Sequence, residues 1–389
     1  MPSSHLLNHQ RTWARLSALA IIAIAFLLGR DSVVRCQEPN PTNINLEQIR
    51  TPFPPSRWEP LPTLPDWEGF AGAFIGTVDD HLVVAGGANF PDRKPWEGGT
   101  KLWYDDLWAL QDPNATWKKV GKLPRPLGYG VALSTSQGSM ICIGGSDAHQ
   151  HYSDVFSIKH DSTGWTIQSL PSLPQPIANA CGERINDELY VVGGQEHPAM
   201  AKASAKTYRL KLQPSLGKWE EMDDLPGPGR ILATAANYRD RLVIMGGAEL
   251  MADSEGKTQR RYLKDAYVLQ TNGTWLRLAD LPFPSVAAPS PSMSLETGDH
   301  LGPCLLGGDD GNQVGKDPSE HVGFRRELIC FDLPQGMEWD RGVWKTVEIL
   351  PVARVTTGLV RWRGNWVLAS GESRPGVRSP QVWWRKGTP

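Results

Sequence analysis

Apolar residues in this chain come in runs of five to eight that alternate with polar ones or end on glycine, without a helical period. Five runs close on a glycine doublet: LVVAGG (Gly86, Gly87), ICIGG (Gly144, Gly145), YVVGG (Gly193, Gly194), LVIMGG (Gly246, Gly247) and CLLGG (Gly307, Gly308). A sixth, WVLASGE, keeps only Gly371 and has Ser370 in place of the first glycine. Measured between second glycines, the steps are 58, 49, 53, 61 and 63 residues. A second marker runs in phase, a tryptophan followed shortly by Leu-Pro, at Trp58, Trp117, Trp165, Trp219, Trp275 and Trp344. Two markers sharing one long period indicate a repeat architecture. Within a unit, turn signals such as Ser136–Gly138 and Ser162–Gly164 divide four short strands. Six units of four strands predict an all-β fold, a six-bladed β-propeller.

The ends predict how the ring closes. The last unit supplies VTTGLVRW, NWVLASGE and VWWR but no fourth strand, while the Trp58 segment is a fourth strand with no three before it. The N-terminal strand is therefore expected to complete the last blade, removing an open sheet edge.

Composition changes this picture little. The chain has 39 glycines and 32 prolines in 389 residues, about 10% and 8% against usual values near 7% and 5%, which argues against long helices. Forty Lys and Arg against 42 Asp and Glu give a net charge of −2, with no global field to draw a polyanion, so nucleic acid is set aside as a partner. Five cysteines form no CxxC pair, and no metal or cofactor site follows from them. Cys142, Cys181, Cys304 and Cys330 fall in predicted strands and read as small buried hydrophobes, with a Cys304–Cys330 disulfide as the less favoured alternative.

The N-terminal segment differs in kind. Arg11 and Arg15 precede an unbroken apolar run from Leu16 to Leu28, long enough for a signal-peptide core and short of the roughly 20 residues that span a bilayer. Residues 1–37 are expected to be a signal peptide, 38–57 a Pro- and Asn-rich linker, and 58–389 the propeller. A periplasmic or secreted protein is expected, touching membrane only through the signal.

In such blades the connections after the second and fourth strands share one face. The polar connections after the second strands are long here, as at 88–104 and 309–326. Binding is expected on that face. Residues after the glycine doublets and at the entries to first strands supply candidate ligand contacts: Asn89, Gln195, Glu249, Glu68, Arg125, Arg230 and Arg354. Lys101 and Arg374 lie on the same side. Trp96 and Trp103, in the first long loop, are candidates for stacking on a ligand. Asp147-Ala148-His149-Gln150-His151 is too isolated to predict a metal.

Gly371-Glu372-Ser373-Arg374-Pro375-Gly376-Val377-Arg378 departs most from the repeat, setting a carboxylate and a guanidinium six residues apart across a Pro-Gly turn. The doublets and fourth-strand tryptophans resemble the kelch repeat from Trp58 to Arg385. GESRPGVR itself resembles the GExxPGxR active-site motif of the bacterial sialic acid mutarotases, the N-acetylneuraminate epimerase family of exported kelch propellers. Trp67-Glu68-Gly69-Phe70-Ala71-Gly72 with Leu82–Gly87 is similar to that family's GFAG blade, and 88–110 is similar to the long loop after that blade. In its better-known members the GExxPGxR motif precedes the GFAG blade, so the resemblance implies a circularly permuted member.

The resemblance further implies interconversion of the α and β anomers of N-acetylneuraminate by ring opening and closure, without a cofactor. Glu372 would be the acid/base and Arg378 the cation facing the sugar carboxylate. A sialidase would need Ser-x-Asp-x-Gly-x-Thr-Trp turns, which the sequence lacks. The rival from another class is a non-catalytic kelch propeller binding a glycan or protein, because the fold alone does not specify chemistry.

Overall fold

The computed structural model describes residues 57–213, 215–295, 302–334 and 336–386. The expected signal peptide and all of the linker but Arg57 lie outside them. Among the described residues the chain is strand and turn, apart from two single 3-10 turns at Pro95–Glu97 and Trp339–Arg341.

Each unit folds as an antiparallel sheet, and in blades 1, 2, 3, 4 and 6 the first strand lies innermost, against the first strand of a neighbour. Blade 1 begins at Phe74–Val78, blade 2 at Val131–Ser134, blade 3 at Cys181–Ile185 and blade 4 at Thr234–Tyr238. Blade 5 shows Cys304–Gly308, Arg325–Asp332 and Val343–Ile349 among the described residues, and blade 6 begins at Leu359–Trp362. Trp58–Leu61 pairs antiparallel with Val382–Arg385, Trp58 opposite Arg385, and completes blade 6 as the terminal segments predict.

The apolar alternation places six hydrophobic clusters between neighbouring blades. One joins Ile75, Leu82 and Val84 of blade 1 to Val360, Trp362 and Val367 of blade 6. The repeated tryptophans are wedges whose indole N–H reaches back to the preceding blade: Trp117, Trp219 and Trp344 donate to the carbonyls of Pro62, Pro171 and Ala279, each at 2.8 Å. The doublet reflects close approach of two chains. Gly86 has φ 62°, and a Cβ there would lie 2.2 Å from the Leu127 carbonyl oxygen, which accepts the Gly87 N–H at 2.8 Å.

Blade 6 meets blade 1 differently. Ser370 takes φ 58° in place of glycine; its hydroxyl accepts the Phe70 N–H at 2.7 Å and lies within donating distance of the Phe70 and Ser379 carbonyls, at 3.0 and 2.9 Å. Ser370→Ala orphans the buried Phe70 N–H and should lower stability by about 1–3 kcal/mol, read from urea unfolding. Unchanged stability would show that this hydroxyl does not fasten the ring.

One expectation is corrected. Cys304 and Cys330 form a disulfide. They stand directly opposite on neighbouring strands, with Cα atoms 4.0 Å apart. Sequence reasoning preferred free thiols because the register of these strands is set across a long loop, whose length leaves the facing pair open. Cys142 and Cys181 are free and buried.

At the axis the blades are stitched by a closed ring that no motif announces. Gly72, Tyr129, Asn179, Leu232, Ala287 and Thr356, one per blade, all have φ between 52° and 66°. Each N–H donates to the carbonyl of its counterpart in the preceding blade, from Tyr129 to Gly72 round to Gly72 to Thr356, at 2.7 to 2.8 Å. The ring lines a neck of about 60 Å³. Positive φ at Leu and Thr is strained, and such strain persists only where the surroundings over-determine it.

Candidate active site

Above the ring, on the glycine-doublet face, lies a cavity of about 450 Å³, within the usual size of a small-molecule site. Its floor is formed by Tyr129, Asn179, Leu232, Ala287 and Thr356 of the ring, and its walls include Ser146, Gln195, Asp309 and Glu372. These four wall residues are equivalent: each directly succeeds a second glycine and is bridged to the residue before its blade's ring position. Alternation along the strand then turns each side chain toward the axis.

Glu372 and Arg378 stand opposite each other in a two-stranded hairpin, Glu372–Arg374 against Val377–Arg378, turning at Pro375 and Gly376. Arg378 Nη2 forms an ion pair with Glu372 Oε1 at 3.0 Å, with side-chain exposures of 4% and 15%. The guanidinium stacks on Phe90, 4.6 Å from the ring centre, while its Nε and Nη1 are buried without a hydrogen-bond partner. Trp96 lies against Gly376, so this candidate stacking platform buttresses the turn of the hairpin.

Lys101 approaches from blade 1. Its Nζ lies 4.1 Å from the Tyr129 ring centre and 4.5 Å from that of Trp103. Burial, with the nearby Arg378 charge, lowers its pKa to about 8, while Glu372 opposes the shift. Burial, reinforced by the Glu372 carboxylate and opposed by Arg378, raises the Tyr129 hydroxyl well above the usual phenol range. The Trp103 Nε1 is buried without a hydrogen-bond partner, and the Tyr129 hydroxyl interacts with the Arg378 guanidinium. Buried polar groups converging at one cavity wall, with two cations against one carboxylate, define a place for an anionic, hydrogen-bonding ligand.

The structure brings Glu372, Lys101 and Gln195 to the cavity wall, and Arg378, buried and not itself lining the cavity, is paired with Glu372. Gln195 is partly engaged, donating through Nε2 to the Met200 carbonyl at 2.6 Å. The other candidate contacts are corrected. Asn89 is fully buried, donating to Asp66 and Gly69 at 3.1 and 3.0 Å and accepting from Tyr104 at 2.8 Å. Glu68 pairs with Lys94, and Arg125 pairs with Asp154 and stacks on Tyr152. Arg230 is bidentate to Asp265 at 2.8 and 2.9 Å. Glu249 pairs with Arg261 at 2.5 Å across a two-stranded ribbon. Arg354 braces the segment beside Arg378 through Ser379 at 2.8 Å and Gln381 at 2.6 Å, and burial lowers its pKa to about 10. Arg374 shares the hairpin, opposite Val377, but does not line the cavity.

For Asn89 and Glu249 the reason is a shift of one residue. They come directly after Ala88 and Ala248, the positions that match Glu372, and a one-residue shift along a strand reverses the face. Tyr129 and Phe90 were not foreseen. Tyr129 comes after the glycine of Leu-Gly-Tyr-Gly at a ring position, which becomes readable only once the six ring positions are superposed. His151 also lines the cavity, its Nδ1 2.8 Å from the Gln195 carbonyl oxygen and its pKa lowered by burial.

The opposite mouth of the channel is wider, about 930 Å³. It holds Glu183, whose carboxyl burial raises to about 8, and Arg184, which donates to the Ser134 and Asn186 carbonyls. Volume alone favours that mouth; the convergent orphan donors and the carboxylate–guanidinium pair favour the doublet face.

Fold and site together define a six-bladed β-propeller with a carboxylate–guanidinium pair at its axial mouth. Residues 46–167 match the family described as N-acetylneuraminate epimerase. Over 120 residues the chain is 35% identical to the N-acetylneuraminate epimerase of Brucella suis, covering 28% of this chain and 30% of that protein. Over 178 residues it is 30% identical to the enzyme of that name from Haemophilus influenzae strain PittEE, covering 41% and 47%. The chain thus aligns with about a third to a half of the length of these curated relatives. A solved structure titled "Structure of YjhT" shares the fold, with a TM-score of 0.55 and 14% identity over 71% of this chain and 84% of that one. The hairpin 371–378 lies outside the family match, so the pairing of Glu372 with Arg378 rests on this structure alone.

Proposed function

We propose that this protein is a mutarotase that interconverts the α and β anomers of N-acetylneuraminate. The observation that carries the reading is the Glu372–Arg378 pair close to Lys101 at the wall of a cavity that also presents the buried Tyr129 hydroxyl and Trp103 N–H. The substrate would enter carboxylate first. The buried Arg378 guanidinium supplies positive charge for that carboxylate, and the Tyr129 hydroxyl and Trp103 N–H add neutral donors. The ion pair with Arg378 at 3.0 Å holds Glu372 at the cavity wall, placed to receive the proton of the anomeric hydroxyl.

The names carried by the relatives support the sugar and the reaction. The proposal includes a permuted blade order, since the hairpin comes after the matched stretch. It also includes export: the Cys304–Cys330 bridge supports an oxidising compartment. The experiment is proton NMR of freshly released α-N-acetylneuraminate with and without the protein. Anomer relaxation should be accelerated in proportion to enzyme concentration. An unchanged rate with the sugar still bound would replace this reading with that of a glycan-binding propeller.

A further inference from the structure

Opening and reclosing a hemiketal moves two protons, one at the anomeric hydroxyl and one at the ring oxygen, and these oxygens share a carbon but point different ways. Glu372 stands on the blade 6 hairpin. Lys101 comes from the neighbouring blade 1, in the loop that ends at Leu102–Trp103. Its ammonium has aromatic faces on two sides and no hydrogen-bond acceptor among the described residues. A cation placed only to bind a carboxylate would duplicate the charge of Arg378, and Arg378 cannot release a proton. Tyr129 holds its proton too tightly. The groups facing Lys101 are Arg378, Glu372, Tyr129 and Trp103. Lys101 combines an unengaged donor with the ability to give and regain a proton near neutral pH, whereas His151, which also lines the cavity, has its Nδ1 engaged with the Gln195 carbonyl at 2.8 Å.

We infer that Lys101 is a second catalytic residue, the donor of the proton taken up by the ring oxygen. The inference rests on the mutarotase reading. In the opening step Glu372 takes the proton of the anomeric hydroxyl, and that O–H electron pair becomes the second bond of a carbonyl. The bond from the anomeric carbon to the ring oxygen breaks, its electron pair staying on oxygen, and that oxygen takes a proton from the Lys101 ammonium. The products are an open-chain keto acid, a Glu372 carboxylic acid and a Lys101 amine. Rotation about the adjacent carbon–carbon bond presents the other face of the carbonyl. Closure reverses each transfer: the amine takes the hydroxyl proton, the oxygen adds to the carbonyl, and Glu372 protonates the former carbonyl oxygen.

The test measures anomer exchange by inversion-transfer NMR for wild type, Lys101→Met and Lys101→Arg across roughly pH 6–10, with N-acetylneuraminate affinity measured by titration. In the wild type kcat should fall on the basic side with a midpoint near 8, where the ammonium is lost. Lys101→Met should lose about 10²-fold or more in kcat, with a smaller change in affinity and no basic limb. Lys101→Arg should bind sugar yet fail to restore kcat, and it serves if the methionine variant does not fold. Raised KM with kcat and its basic limb intact would overturn the inference and leave Lys101 a carboxylate clamp. A wild type without exchange would instead sink the mutarotase reading itself.

Discussion

Glu372→Gln should reduce the rate of anomer exchange by about 10²–10⁴-fold, near 3–5 kcal/mol of transition-state stabilisation, while sugar binding changes far less. The amide is nearly isosteric, and its carbonyl oxygen can still face Arg378 Nη2, which is now ion-paired with Oε1 at 3.0 Å. It cannot take the anomeric proton. NMR exchange rates with parallel titrations separate the two effects. Equal rates in variant and wild type would mean the carboxylate only orders Arg378, and catalysis would have to be sought elsewhere. Loss of binding and rate together would indicate that Glu372 holds the sugar through a bond made equally in ground and transition states.

The second large effect is on stability. Arg230 has a fully buried side chain, and its Nη1 and Nη2 donate to Asp265 at 2.8 and 2.9 Å, with the Gly246 carbonyl also accepting from Nη1 at 2.9 Å. Arg230→Met leaves the Asp265 carboxylate without its counter-charge and should cost about 3–5 kcal/mol. Burial opposes ionisation of Asp265, but the hydrogen bonds and charge of Arg230, with the Tyr267 hydroxyl, outweigh it, so its pKa is depressed. The pair's contribution is therefore full above the unfolded pKa of an aspartate and is lost as pH falls through the depressed folded value. Wild type should lose this term on acidification, and the variant should lack that part of the acid dependence. Urea unfolding at two pH values reads both. A variant of native stability with weakened sugar binding would instead restore Arg230 as a ligand contact.

Much of the architecture was legible in the residues. The doublets at Gly86-Gly87 and onward, and the tryptophans in phase with them, mark the blades because both answer local needs that recur at each blade junction: positive φ with no room for a Cβ, and an indole that fills the gap and donates to the neighbouring chain. The strand at Trp58 announced the closure because an unmatched fourth strand and a blade lacking one are complementary. Glu372 and Arg378 were legible as a pair because a hairpin of this length places its two ends opposite each other.

The contacts made by the polar connections were not. Asn89, Glu68, Arg125, Arg230, Glu249 and Arg354 are the same residue types on the same face as the residues lining the cavity, yet each finds its partners inside the protein. A charged residue beside a strand end is neutralised or left free according to which part of the folded unit comes against it, and that partner is not its neighbour in the chain. Likewise Tyr129 and Lys101 meet Glu372 only because residues from three blades converge on one axis. The chain's own periodicity determined the number of blades, their order and the seam that closes them, since these depend on short-range geometry repeated in every unit. Tertiary structure alone decided which polar groups remain without partners around the mouth, because satisfaction of a buried donor is a property of the whole ring.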